Sequence, residues 1–325
     1  MPTYKTEAVV FFDHHPAVTD FRHEVLTGLG SKPKSLSPKF FYDKRGSELF
    51  DRICELDEYY PTRTETRILE ENAGEIAALC GEDCELIEYG SGSSRKVRIL
   101  LDALAGDVTY VAIDISREHL LESATELAER YTELEVIAVC ADYTQPFPLP
   151  LPGRGRTGNR VVFFPGSTIG NFNPGQAAEF LSTTARQLGR GGSMLIGVDL
   201  KKDERILHAA YNDSQGVTAA FNLNLLTRIN REIGADFDPS AFHHCSFYNR
   251  AEGRIEMHLV SRREQTVVVD GESIPLSGGE SIHTENSYKF SIDEFQDLAG
   301  NCGFVPVHVW TDSANLFSLH YLTVE

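Results

Sequence analysis

Residues 85–96 read Glu-Leu-Ile-Glu-Tyr-Gly-Ser-Gly-Ser-Ser-Arg-Lys, an apolar run that enters a glycine turn and then a helical stretch. Gly90 and Gly92 permit a sharp turn and close approach of a ligand to the backbone. The next apolar run, 110–114, closes on Asp114, and the one after it, 136–142, closes on Asp142. Asp114 lies 24 positions after Gly90, near the roughly 20 at which a carboxylate takes the hydroxyls of a ribose. Three strand ends therefore offer amides and carboxylates to one nucleoside-bearing ligand. A lone Gly-x-Gly is as often a purely structural turn; the ordered set carries the inference.

A dinucleotide site would place a third Gly or Ala where this chain has Arg95, because helix must pack closely on strand there. Arg95 thus argues against NAD. S-adenosylmethionine carries an adenosine without a pyrophosphate and needs no such residue. Asp142 suits its adenine amino group, and the backbone amide of Tyr143 suits a ring nitrogen.

The elements that must hold these groups alternate. Apolar strand-like runs at 86–89, 110–113, 136–139, 161–164 and 194–198 are separated by helical stretches at 97–104, 119–131 and 177–188. This predicts an α/β fold with a parallel sheet covered on both faces, ligand at the carboxyl ends of the strands. After residue 200 the pattern changes. Residues 203–233 read helical, 254–269 alternates like a hairpin, and Gly271, Pro275, Gly278 and Gly279 mark turns. The runs 305–310 and 317–324 predict a terminal antiparallel hairpin on the main sheet. Pro33, Pro38 and Pro61 punctuate an N-terminal region expected to be a helical cap, and 149–158 is expected to be a Pro/Gly-rich loop. The expected division is 66–200 plus 286–325 for a Rossmann-like domain and 1–65 plus 201–285 for a discontinuous α+β second domain.

The fourth strand runs into Pro165-Gly-Ser-Thr-Ile-Gly-Asn171, which puts Gly166 and Asn171 at the ligand edge of the sheet. The same residues would also serve as an ordinary turn. Tyr42, Tyr59, Tyr60 and Tyr211 fall in the cap segments, with Asn286 and Ser287 beside Glu285; tyrosines so placed are often packing residues.

Along nearly its whole length the chain resembles the S-adenosylmethionine-dependent L-histidine Nα-methyltransferases of ergothioneine biosynthesis. The likeness rests on Phe41-Tyr-Asp43, Gly46-Ser-Glu-Leu-Phe-Asp51, Glu58-Tyr-Tyr-Pro-Thr-Arg63, Glu88-Tyr-Gly-Ser-Gly92, Gly166-Ser-Thr-Ile-Gly-Asn171 and Glu285-Asn-Ser287, in that order. It implies a class I methyltransferase fold, with cofactor contacts at Gly90, Lys96, Asp114, Asp142 and Tyr143, alongside Gly92 of the turn. Lys96 has its own rationale, since an ammonium can pair with the methionyl carboxylate; a solvated charge early in a helix is the plain alternative. The resemblance further implies Asn171 and Tyr211 near the substrate carboxylate and Gly166 near its amino group. Glu285 and Ser287 would address the imidazole, with Phe50, Tyr59 and Met257 lining the pocket. Ser287 can donate to the ring or accept from it, according to tautomer. Tyr42 and Tyr59 are the implied catalytic pair, helping the amine to turn between three successive transfers that end in hercynine, with S-adenosylhomocysteine as by-product. Three residues depart from the pattern. Asp57 stands where a Pro often precedes Glu-Tyr-Tyr, and Tyr89 and Tyr143 replace smaller or apolar residues, which bears on pocket shape.

Composition narrows the classes. The 325 residues are 41% hydrophobic, enough for a substantial core, and carry 48 acidic against 30 basic side chains, a formal charge of −18. Such a balance repels nucleic-acid phosphates and anionic lipid surfaces, so a small-molecule substrate is expected, with no nucleic acid and no membrane partner. It is also an ordinary means to solubility. Six scattered cysteines lack the density of a disulfide scaffold. Cys80 and Cys84, or His243, His244 and Cys245, have no second pair at finger-like spacing, and no metal is expected. Without an apolar leader or a ~20-residue apolar span, the chain is expected to be a cytoplasmic monomer. Three other functions remain open: methylation of a tryptophan-derived amino acid, a nicotinamide-dependent oxidoreductase, and a non-catalytic S-adenosylmethionine sensor.

Overall fold

The computed structural model describes residues 3–5, 9–14, 21–92, 94–145, 147–149 and 158–325. Most of the loop expected at 149–158 lies outside the described residues. The chain forms two compact units, one of Met1–Pro16, Pro61–Leu200 and Phe290–Glu325, the other of Ala17–Tyr60 and Lys201–Lys289.

The first unit is built on a nine-stranded sheet. Its order is Thr3–Lys5, Val9–Asp13, Glu135–Cys140, Thr109–Asp114, Glu85–Tyr89, Arg160–Phe164, Ser193–Asp199, Phe317–Val324 and Phe304–Thr311. The strands from Val9–Asp13 to Ser193–Asp199 are parallel, and the pairs at both ends are antiparallel. The strand order reverses beside Glu85–Tyr89. That reversal is the topological switch point, at whose carboxyl ends such sheets bind ligands. Adjacent residues on one strand face opposite cores: Leu86, Tyr110 and Ala138 lie in one apolar cluster, Ile87, Val111 and Val139 in the other. Strands buried on both faces read as unbroken apolar runs, which is why this sheet is visible in the sequence. The closing hairpin joins it as expected, Phe317–Val324 against Ser193–Asp199.

Two expectations need correction. The N-terminal region is not wholly a helical cap, because Val9–Asp13 adds to the main sheet, parallel to Glu135–Cys140, with Phe11 in the core. The domain limits also shift. Helix Tyr60–Cys80 runs unbroken through position 65, and strand Ser281–Tyr288 runs through position 285. A bridge between Leu200 and Phe290 closes the first unit instead.

The second unit has a four-stranded sheet in the order Lys34–Ser35, Ser281–Tyr288, Arg254–Ser261, Phe242–Asn249, and a separate hairpin of Gln265–Val269 with Glu272–Leu276. Helices Lys44–Cys54 and Val217–Ile233 pack together, and Asp43, which caps the first, takes hydrogen bonds from Asn224 at 2.8 Å and Arg231 at 2.7 Å. Helix Glu204–Tyr211 lies against strand Phe242–Asn249.

Glu88 is one of the buried acids in the first unit's sheet. Glu88 is 3% exposed and accepts the Tyr110 hydroxyl proton at 2.5 Å. Burial pushes its carboxyl up from 4.5 to about 8, although the Tyr110 bond and the Lys96 charge pull the other way. Between those values the folded chain binds more protons at Glu88 than the unfolded chain does. The site's contribution to stability is therefore lost as pH rises through the window. Glu88→Gln removes that titration. Urea denaturation should show the variant gaining stability relative to the parent between about pH 5 and about pH 8; a constant difference would contradict the assignment.

Candidate functional site

In the first unit the glycine turn follows strand Glu85–Tyr89 directly. Gly90 has φ +73°, a conformation an L side chain rarely adopts, and its N–H bonds the Ile113 carbonyl at 2.8 Å. The Ser91 hydroxyl is buried with no partner among the described residues, and so is open to one. Asp114 is partly buried at the next strand end and accepts the Ser116 N–H at 2.8 Å; burial raises its carboxyl above the usual range. Asp142 accepts both the N–H and the hydroxyl of Thr144, at 2.9 and 2.5 Å. Gly90, Gly92, Asp114, Asp142 and Tyr143 thus belong to neighbouring strand ends.

The two aromatic departures explain each other. Tyr89 and Tyr143 stack at 5.7 Å between centroids with planes 2° apart, and Phe164 and Phe180 meet both edge-on. Enclosure raises the Tyr143 hydroxyl well above its ordinary value, so it stays neutral.

Lys96 is not a solvated charge. Its ammonium lies 2.5 Å from Glu65, whose side chain is fully buried. Both Glu65 oxygens also accept the Gly166 N–H, at 3.0 and 2.9 Å. Gly166 has φ +81° and Ser167 φ +57°, and the Ser167 hydroxyl accepts the Asp199 N–H at 2.9 Å. A Cβ at Gly197 would stand 2.1 Å from the Glu65 Oε1, so glycine is what makes room for the acid. The Gly166 N–H is therefore committed to Glu65. Asn171 ends the short helical turn Thr168–Asn171 on the same segment.

The remaining expected residues lie in the second unit, and there they cluster. Ring centroids run Tyr42 to Phe50 at 5.7 Å, Phe50 to Tyr59 at 6.3 Å and Tyr59 to Tyr211 at 6.4 Å. Phe221 backs Tyr42 and Phe50 at 6.0 Å each. Tyr59 is held protonated at neutral pH, its hydroxyl raised far above the ordinary value by burial and by Tyr211, Cys54 and Glu285 nearby. It offers lone pairs and a π face rather than a base. Met257, 1% exposed, pairs across the strands with Glu285, and Tyr211 donates to Ser287 at 2.8 Å. Glu285 is only partly buried by area, yet its carboxyl is enclosed enough that desolvation pushes it up to about 7, with Lys289 opposing.

A bulge aims this strand. Its register shifts at Met257/His258, leaving Thr284 unpaired, and the Thr284 hydroxyl bonds Asn222 at 2.8 Å and the Met257 carbonyl at 3.0 Å. Asn222, fully buried, also donates to the His258 carbonyl and to Nδ1 of His244, whose Nε2 bonds the Tyr211 carbonyl. Burial keeps His244 neutral, so Nδ1 accepts and Nε2–H donates. Tyr211 ends its helix, and His244 thereby satisfies a carbonyl that the helix leaves open.

Glu65, Phe221, Asn222 and Lys289 were not foreseen. Glu65 had a signal, since it shares a helix face with buried Ile68 and Leu69 at i+3 and i+4. Asn222 sits among Phe221, Leu225 and Leu226 in the same way. The expected absence of metal concerned Cys80 and Cys84, which are buried core residues of the first unit, and His243 to Cys245. Among the described residues Glu256, His258 and His283 have ligand atoms within 4.8 Å of one another, but Arg254 and His258 already bond the Glu256 carboxylate.

Comparison with known proteins gives a consistent picture. Residues 21–324 match the family described as histidine-specific methyltransferase, SAM-dependent. The chain is 44% identical over 308 residues to the histidine N-alpha-methyltransferase of Mycolicibacterium smegmatis, covering 93% of this chain and 94% of that one. It is 34% identical to ergothioneine biosynthesis protein 1 of Neurospora crassa, over 89% of this chain and 33% of that longer protein. The 4-dimethylallyltryptophan N-methyltransferase of Claviceps purpurea is 28% identical, with 89% and 90% covered.

Breaking a buried ion pair from one side costs about 3–5 kcal/mol. Glu65→Ala should lose an amount of that order in chemical denaturation, and Lys96→Met added to it should recover a large part. A double variant as unstable as the sum of the two single variants would show that the pair is not coupled.

Proposed function

The chain belongs to the histidine-specific, S-adenosylmethionine-dependent methyltransferases, and from that we propose that it methylates the α-amino nitrogen of L-histidine three times, giving hercynine for ergothioneine biosynthesis. The observation that carries the substrate reading is the pair Glu285 and Ser287. They lie two apart on one strand and so on one face, a carboxylate and a hydroxyl suited to a ring with two nitrogens. An indole offers one N–H and no lone pair, which leaves Ser287 unmatched, so histidine is favoured over a tryptophan derivative.

The first unit's residues fit the cofactor. The turn at Gly90 and the unpartnered Ser91 hydroxyl meet a ligand at the strand ends, Asp114 takes the ribose, and Asp142 and the Tyr143 amide take the adenine. Lys96 serves the methionyl carboxylate, which then shares that ammonium with Glu65. S-adenosylmethionine supplies an electrophilic sulfonium methyl that passes to the amine and leaves S-adenosylhomocysteine.

The protein's share of the catalysis is mainly positioning. Tyr211 serves the substrate carboxylate, Glu285 and Ser287 the ring, and Phe50 and Met257 the walls. The amine must present a free lone pair in each round, so an ammonium first gives up a proton. Tyr59 keeps its own proton and does not take this one. Tyr42 and Tyr59 supply lone pairs and π faces along which a progressively methylated, cationic nitrogen can turn. After the third transfer no N–H remains, and the sequence ends. No helix among the described residues is long and apolar enough to cross a membrane; we read the enzyme as a cytoplasmic monomer acting on a free amino acid.

The test separates the two ligands. By calorimetry, Glu285→Ala should weaken histidine binding about 10- to 100-fold through one lost charge-assisted hydrogen bond and leave S-adenosylmethionine binding unchanged. Asp114→Ala should do the reverse. Equal loss of both ligands in the first variant, or unchanged cofactor affinity in the second, would refute the assignment.

A further inference from the structure

Tyr59 stands on a connection rather than in an element. Helix Lys44–Cys54 has ended before it, and helix Tyr60–Cys80 begins at the next residue. Leu56, 5% exposed, anchors this connection, and the Tyr59 N–H bonds the Leu56 carbonyl at 3.1 Å. Tyr211 is the last residue of its own helix, and the turn that follows is tied down residue by residue. The Asn212 amide gives to the Ser246 carbonyl at 3.2 Å, and the Asp213 carboxylate takes the Val217 and Thr218 N–H groups at 2.9 and 2.8 Å. Ser214 comes next and reaches across to the other connection. Its N–H and its hydroxyl both go to one oxygen of Glu58, at 3.1 and 2.7 Å.

The link therefore joins the two connections that carry the Tyr59 and Tyr211 rings, whose centroids lie 6.4 Å apart. The turn at Ser214 leads into helix Val217–Ile233, which carries Phe221 against Tyr42 and Phe50. Ser214 is exposed and Glu58 half-buried, and changes at such surface positions usually alter stability little. What the link can affect is the placing of a ring on a turn that no ladder of hydrogen bonds holds. One oxygen accepts both bonds, so the place calls for an acceptor rather than for a charge, and an amide oxygen meets that need.

We infer that Glu58 is a positioning residue, whose paired hydrogen bonds to Ser214 set the Tyr59 ring against Tyr211 and so govern the alignment of the amine in each transfer. This rests on the histidine reading above and on the place it gives Tyr59. Where catalysis is mainly positioning, a displacement on the order of 1 Å away from the chemistry can cost about a hundredfold in rate. A modest surface link next to a pocket ring then matters more to turnover than to folding. Glu58 acts through Tyr59, since its side chain bonds Ser214 rather than the reacting atoms.

The experiment is steady-state kinetics with histidine and S-adenosylmethionine, with urea denaturation and S-adenosylhomocysteine calorimetry on the same preparations. Glu58→Ala should lower kcat/KM for histidine at least about threefold, the worth of one such hydrogen bond, while the urea midpoint and S-adenosylhomocysteine affinity hold. Glu58→Gln keeps the acceptor and should stay within about twofold of the parent. Ser214→Ala keeps its N–H and should fall between. Adding it to Glu58→Ala should cost nothing more, because its partner is already gone. Parent kinetics in Glu58→Ala, a Glu58→Gln as impaired as Glu58→Ala, or full additivity of the two alanine variants would each overturn the inference. So would a loss of stability or of cofactor affinity that matches the kinetic loss, the mark of a merely structural residue. A parent enzyme that turns over no histidine defeats the histidine reading itself, whereas normal parent turnover beside an unaffected Glu58→Ala overturns the positioning role alone.

Discussion

The Glu65 carboxylate is the interaction on which the cofactor half of this protein depends. A fully buried charge is tolerated only when paired and hydrogen-bonded, and here the partners are the Lys96 ammonium and the Gly166 N–H. Three segments that could otherwise move independently are fixed by one group: helix Tyr60–Cys80, the start of helix Arg95–Ala103, and the turn after strand Arg160–Phe164. Gly197 is the concession that the neighbouring strand makes to it. The same acid holds the charge of Lys96 in place, so the residue that would receive the methionyl carboxylate is positioned before any ligand arrives. Such preorganisation is what a reaction driven by alignment requires.

In the second unit the comparable constraint is polar closure around a bulge. Thr284, Asn222 and His244 use their donors and acceptors on one another and on the Met257, His258 and Tyr211 carbonyls. The result fixes both the strand that carries Glu285 and Ser287 and the end of the helix that carries Tyr211. The aromatic rings from Tyr42 to Tyr211 supply apolar walls around these polar groups. Small sites that bind one metabolite are commonly built this way, with apolar surface for area and a few fixed polar groups for orientation.

Much of this was legible in the sequence, and the unequal legibility has physical causes. The doubly buried strands write continuous apolar runs, so the sheet and its closing hairpin could be read. The glycine turn and the acids at strand ends could be read because each answers to a backbone or ribose requirement. Val9–Asp13 is an apolar run of the same kind, but it stands alone ahead of the proline-punctuated region, where nothing local distinguishes a sheet strand from a cap segment. The domain limits at 65 and 285 missed because a helix and a strand continue across them, and local composition does not change there. Glu65 and Lys289 are charged residues, a type for which solvent is the usual expectation. Only their partners, Lys96 and Gly166 for one, Ser287 and Tyr211 for the other, show that they are buried for a reason. The substrate assignment came from resemblance and matched motifs, since no spacing rule specifies an imidazole.

The central claim is that the chain is a histidine Nα-methyltransferase that carries the amine to its trimethylated state. Its most direct test is mass spectrometry of the purified protein incubated with S-adenosylmethionine and a panel of free amino acids. Histidine gaining one, two and finally three methyl groups, with the mass confined to the α-nitrogen on fragmentation, is the predicted result. Methylation of a tryptophan derivative with histidine untouched, or cofactor binding with no methylated product, would contradict it.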